Sequence, residues 1–203
     1  MAKNSDENKI DEIKIITLGN SQVGKTSIII RFIEKKFSFN YLSTIGLDFK
    51  SKKILLPNGN EVKIRVFDTA GQDRFRSIAV SYIQKADGIL LIYDITNQGS
   101  FDSVGKWISD IKAAKGDKMP IVLIGNKMDL ADRVINKEMG EEKANCFNIP
   151  FFETSCKTGE NVEKAFYNLI KQILNNMGEK SNTFKLRKAV GKKKEKKKCC
   201  LID

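Results

Sequence analysis

Gly19-Asn20-Ser21-Gln22-Val23-Gly24-Lys25-Thr26 constrains this chain more than any other stretch, because it dictates three consecutive pieces of backbone. It fits G-x-x-x-x-G-K-[ST] at every position. An apolar run, Ile13-Lys14-Ile15-Ile16-Thr17-Leu18, precedes it, and Thr26-Ser27-Ile28-Ile29-Ile30 follows. The order predicted is strand, glycine-rich loop, helix. Such a loop turns backbone N–H groups toward one point at a helix N-terminus, which suits a phosphate. The N–H groups of residues 21–26, Ser21, Gln22, Val23 and Gly24 among them, are predicted to cradle a β-phosphate, with Ser27 behind them. Lys25 can bridge β- and γ-phosphates, and the Thr26 hydroxyl can ligate Mg²⁺.

About 100 residues downstream, Asn126-Lys127-Met128-Asp129 follows the apolar run Ile121-Val122-Leu123-Ile124. A carboxylate at Asp129 can accept hydrogen bonds from N1–H and the 2-amino group of guanine, and adenine offers neither. Stranding a buried acceptor in this way discriminates by ~10⁴–10⁵. Taken alone, these four residues are an ordinary polar loop. The phosphate loop upstream raises them to a guanine site.

Between the two lies Asp68-Thr69-Ala70-Gly71-Gln72, after the strand Val62–Phe67. An Asp at a strand's end beside a phosphate loop can hold Mg²⁺. Gly71 lets its N–H approach a γ-phosphate, and Gln72 can orient an attacking water. Thr44, in Ser43-Thr44-Ile45-Gly46, can add a hydroxyl to Mg²⁺ and an N–H to the γ-phosphate. Both loops then depend on a phosphate that hydrolysis removes, which makes a two-state element, ordered with GTP and relaxed with GDP.

Elsewhere, short apolar runs alternate with helical patterns. Ile89–Tyr93 and Ile121–Ile124 read as central parallel strands, covered on both faces. Pro57-Asn58-Gly59-Asn60 reads as a hairpin turn between 47–56 and 61–67, giving one antiparallel edge strand. Helices are expected near 25–36, 100–114 and 136–147. Another is expected over 160–176, where Val162, Ala165, Phe166, Leu169, Ile170, Ile173 and Leu174 form a core-facing stripe. The sum is an α/β fold, doubly wound around a mostly parallel six-stranded sheet with helices on both faces.

The absence of histidine excludes His-based acid–base catalysis, a Ser-His-Asp triad and His-ligated zinc. Cys146, Cys156, Cys199 and Cys200 do not have metal-site spacing. No apolar run reaches the ~18 residues of a transmembrane helix. The start, Met1-Ala2-Lys3-Asn4, suggests neither a signal peptide nor myristoylation. Net charge is +11, but residues 185–203 hold nine Lys/Arg against two acids, so +7 lies there and +4 in residues 1–184. The basic character is a tail and not a groove, which argues against a nucleic-acid partner. Six lysines over 192–198 run into Cys199-Cys200-Leu201-Ile202-Asp203. Lysines beside two cysteines suggest an anionic membrane surface plus lipid.

These motifs resemble those of the Ras-like small GTPases, and within them the Rab branch. The resemblance covers about residues 12–176 and the C-terminal end. Ile45–Phe49, Gln72–Ile78 and Leu91-Ile92-Tyr93-Asp94-Ile95-Thr96 are similar to Rab signatures. It implies a GTPase domain over 12–176, a flexible start over 1–11, and a disordered tail over 177–203. It also implies that Phe37 lies edge-on to guanine, that Asn126 binds the base and braces the phosphate loop, and that Lys127 covers the base. Ser155-Cys156-Lys157 matches an S-A-K element whose backbone N–H binds guanine O6. Gln72 becomes the catalytic residue, and Cys199 and Cys200 the sites of double geranylgeranylation.

Implied partners are an exchange factor, a GTPase-activating protein, a GDP-dissociation inhibitor or escort protein, and effectors at residues 37–49 and 68–82. The implied location is the cytoplasmic face of an intracellular membrane, with a cytosolic pool. Residues 37–44 contain no arginine, so hydrolysis is expected to be slow without a partner. Three residues depart from the pattern. Gln22 stands where Gly or Ser is usual and is strained if φ is positive. Cys156 replaces Ala, and its sulfur has to be accommodated. Phe67 replaces Trp at an effector-docking position. Gln22 and Cys156 also support an alternative, a non-cycling scaffold that holds nucleotide structurally.

Overall fold

A computed structural model describes residues 12–38, 47–56, 59, 61–69 and 76–194, with backbone alone at 47, 76–79 and 179–194. Thr44, Gly71, Gln72, Cys199 and Cys200 lie outside the described residues, as does most of the expected hairpin turn.

The strands are β1 (Glu12–Leu18), β2 (Leu47–Leu55), β3 (Glu61–Thr69), β4 (Gly88–Asp94), β5 (Ile121–Asn126) and β6 (Phe151–Thr154). They form one sheet in the order β2-β3-β1-β4-β5-β6. Only the β2–β3 pair is antiparallel. The helices are α1 (Lys25–Glu34), α2 (Arg76–Ile83), α3 (Gln98–Asp102), α4 (Val104–Lys115), α5 (Lys137–Phe147) and α6 (Val162–Lys194).

Strand alternation divides the core into two halves. Ile13 and Ile15 of β1, Leu90 and Ile92 of β4, and Val122 and Ile124 of β5 face α1 and α6. Ile16 and Leu18, Ile89, Leu91 and Tyr93, and Ile121 and Leu123 face the other way, with Trp107, Ile108 and Ile111 of α4. All seven residues of β4 are buried, which is why its sequence shows no alternation. On the α1–α6 face, the rings of Phe32 and Phe166 stack with centroids 3.8 Å apart.

The elements differ from expectation in four places. The helix expected at 100–114 is two helices, meeting at Ser103. Asn97 caps the first of them, its side chain accepting from the Ser100 N–H. α2 and β6, eight and four residues long, are too short to be placed from periodicity. The helix expected over 160–176 continues to Lys194, so its backbone is helical where disorder was expected from Met177. Among the described side chains of α6, Leu174 and Met177 are the last packed against the core.

Candidate functional site

The loops at the carboxyl ends of the parallel strands, with the start of α1, carry the described candidate residues other than Phe37, the usual crevice of an open α/β sheet. β1 runs into the loop 19–24. Its two glycines sit where a side chain has no room. A Cβ on Gly19 would lie 2.1 Å from the Ile92 carbonyl oxygen, and one on Gly24 2.3 Å from Asn126 Nδ2. Both adopt positive φ, 137° and 99°. Gly24 opens α1 with no side-chain cap, and the first turn holds no acidic residue. The helix N-terminus is thus left for an external anion.

Lys25 is 6% exposed. Its Nζ donates to the carbonyls of Gly19 (3.0 Å) and Asn20 (2.7 Å). Burial pushes its ammonium down to about 8, against the pull of Asp68. A negative phosphate beside it would favour the charged form that burial disfavours. Thr26 Oγ1 donates to Asp68 Oδ2 at 2.6 Å. A hydroxyl and a carboxylate this close are hard oxygen ligands, the set Mg²⁺ takes when phosphate and water complete its shell. The residues present therefore fit Mg²⁺.

Asn126, 1% exposed, ties three segments together. Its Nδ2 donates to the Val23 carbonyl at 2.8 Å. Its Oδ1 accepts from Thr154 Oγ1 at 3.1 Å and from the Cys156 thiol at 3.3 Å. The extra sulfur of Cys156 is therefore accommodated as a hydrogen-bond donor. Burial pushes that thiol up to about 12. Ser155 Oγ donates to Asp129 Oδ1 at 2.6 Å, fixing the carboxylate. Lys127 has φ 72°, and its ammonium meets Asp94 Oδ2 at 2.5 Å. Phe37 is half-buried against the α1–α6 core. Ser21 and Ser27 are half-buried beside the loop. Gln22 is exposed with φ 63°, the strained setting anticipated for it.

The structure thus gathers Gly19 to Ser27, Asp68, Asn126, Lys127, Asp129, Ser155, Cys156 and Lys157 around one end of the sheet. Sequence reasoning missed Asn20 and Trp107 as supports. Asn20 Oδ1 accepts from the Trp107 indole N–H at 3.1 Å, and Asn20 Nδ2 donates to Ser103 Oγ at 3.1 Å. It also missed Asp94 as the partner of Lys127. The register β4–β5, which sets Asp94 against Asn126, creates that pairing.

The Ras family model matches residues 14–175. The chain belongs to the Ras family. Human Ras-related protein Rab-8B is 43% identical over 170 residues, covering 83% of this chain and 82% of that protein. Ras-related protein SEC4 of Saccharomyces cerevisiae is 40% identical over 161 residues, 79% of this chain and 74% of its own. Human Ras-related protein Rab-37 is 40% identical over 191 residues, 92% and 85% respectively. Within the Ras family this chain is a Rab-like small GTPase of vesicle trafficking, hydrolysing GTP to GDP and phosphate.

Proposed function

We propose that this Ras-family chain is a guanine-selective switch, active toward effectors with GTP and inactive with GDP. The observation that carries the reading is the junction at Asn126. One buried amide holds the phosphate loop at Val23 and the base loop at Cys156, and the neighbouring Ser155 fixes Asp129. Lys25 and the loop N–H groups hold the β- and γ-phosphates. Thr26, Asp68 and Thr44 hold Mg²⁺, which supplies charge neutralisation on the phosphates. Phe37, Lys127 and the Ser155-Cys156-Lys157 backbone enclose guanine, and Asp129 reads its N1–H and 2-amino group.

Gln72 orients water for in-line attack on the γ-phosphorus. The bond to the β–γ bridging oxygen breaks, giving inorganic phosphate and bound GDP, while Gly71 N–H steadies the γ-phosphate. An activating protein supplies the arginine that residues 37–44 lack, worth ~10³–10⁵ in rate. Effectors engage 37–49 and 68–82. There Phe49, half-exposed, lies 5.9 Å from Phe67, itself 5.9 Å from Tyr82. Exchange factor and GDP-dissociation inhibitor or escort protein complete the cycle. Lipid on Cys199 and Cys200, with the lysine tail, anchors the chain to the cytoplasmic face of an intracellular membrane, leaving a cytosolic pool. No described helix is long and apolar enough to cross a membrane.

Nucleotide extracted from purified protein and from Asp129→Asn tests the reading. Guanine nucleotide in the first and a switch to xanthine nucleotide in the second are expected. Adenine nucleotide in the wild type would overturn it. Single-turnover hydrolysis near one per second without a partner would refute the dependence on an activating protein. Unmodified Cys199 and Cys200 in the mass spectrum of native-source protein would refute lipid anchoring.

A further inference from the structure

The phosphate end and the base end of the site are joined a second time, through a residue given no role toward phosphate or base. Arg31 lies in the last turn of α1, the helix that begins with Lys25 and Thr26. Its Nε donates to the Cys156 carbonyl at 2.6 Å, and Nη2 to the Lys157 carbonyl at 2.5 Å. Nη1 donates to the Lys35 carbonyl at 3.0 Å, and the Lys35 N–H returns a bond to the Arg31 carbonyl. One planar fork thus holds three carbonyl oxygens, a geometry a lysine point charge does not reproduce. An arginine near a helix C-terminus is favourable in its own right. That explains the bond to Lys35 but not the two carbonyls 125 and 126 residues away.

The loop it grips is the one that orients the base-reading carboxylate. Ser155 Oγ donates to Asp129 and accepts from the Thr158 N–H at 3.0 Å. The Gly159 N–H closes the turn on the Ser155 carbonyl at 2.8 Å. Gly159, at φ 88°, leaves its face open to the Arg31 stem, where a Cβ would sit 3.5 Å from Cδ. Bonds from a charged donor to carbonyls are among the stronger ones, and losing them lets the loop drift.

We propose that Arg31 is a positioning residue for guanine recognition: it pins Cys156 and Lys157, and through that turn holds Ser155 against Asp129. This rests on Asp129 being the guanine-reading group. Because Lys35 is its third acceptor, Arg31 also ties the base loop to the point where α1 ends and the chain departs toward Phe37.

The test compares release of GDP and of inosine diphosphate, which lacks the 2-amino group, from full-length wild type, Arg31→Gln and Arg31→Lys. Wild type should hold GDP better, and the ratio of the two rates measures how well Asp129 is aimed. Arg31→Gln should release GDP about tenfold faster, the scale of one or two charge-assisted hydrogen bonds, and should shrink the ratio. Arg31→Lys should keep the fold but shrink the ratio in the same direction. An unchanged ratio in both variants overturns the proposal, whether or not release speeds up, since a merely loosened fold sheds both nucleotides alike. Asp129→Asn separates the two failures. If it does not shift preference toward xanthine nucleotide, the guanine reading is wrong. If it does while the Arg31 ratios stand still, only the role of Arg31 is wrong.

Discussion

Gln22 holds a left-handed backbone, φ 63°, at the exposed tip of the phosphate loop. For a residue with a Cβ that conformation costs about 1–2 kcal/mol. Glycine removes the strain but gains about 0.4–1 kcal/mol of unfolded-state entropy. Gln22→Gly is therefore expected to stabilise the fold by about 0.5–1 kcal/mol, read as a higher urea midpoint at unchanged slope. Cys156 makes a prediction of a different kind. Burial lifts its thiol from 9.0 to about 12, so the folded state retains a proton the unfolded chain has lost. Its contribution is whole below pH 9 and fades as pH climbs toward 12. At pH 8 iodoacetamide should label exposed Cys146 and spare Cys156 until denaturant is added. The sequence could flag Gln22 and Cys156 as departures but could not settle either. A torsion angle is set by the folded loop, and the sulfur's partner, Asn126, lies 30 residues away in the chain.

Elements were legible where one periodicity ran long enough. The α6 stripe named Val162 to Leu174 correctly, because a helix packed on a sheet must repeat its apolar face. Phe166 lies fully buried against Phe32, so Phe166→Ala is expected to cost about 3–5 kcal/mol in chemical denaturation, with nucleotide selectivity unchanged. Continuous apolar runs likewise disclosed β4 and β5. α2 and β6 escaped because eight and four residues are too few to show a period. The extension of α6 to Lys194 was not legible for a different reason. Apolar periodicity reports what a helix packs against and fades beyond Met177 in this sequence. The site's main residues were readable because strand–loop–helix motifs carry their own geometry. The supports Asn20, Trp107, Asp94 and Arg31 were not, since each acts through a partner only the folded sheet brings near.

At the scale of the molecule, α6 leads from the base loop toward the basic C-terminal residues. α6 starts beside the base loop and runs back along the sheet. By Asn176 it has reached Lys118, just before β5 begins, with Nδ2 donating to that carbonyl at 3.1 Å. Its remaining turns carry the chain away, about 1.5 Å per residue to Lys194. Deleting 185–203 should accordingly leave GDP release unchanged. The same deletion should abolish binding to vesicles containing phosphatidylserine, which for the full chain should weaken as salt rises. Measuring both on one preparation tests the separation. A large shift in GDP release on truncation would contradict it. Finally, the chain has one tryptophan, and the structure bonds its indole to the phosphate loop. All indole emission from this protein thus comes from a ring one hydrogen bond away from the phosphate loop. The protein carries its own lamp: stripping or exchanging the nucleotide should change its brightness or colour, and Asn20→Ala should dim that response without any dye being attached.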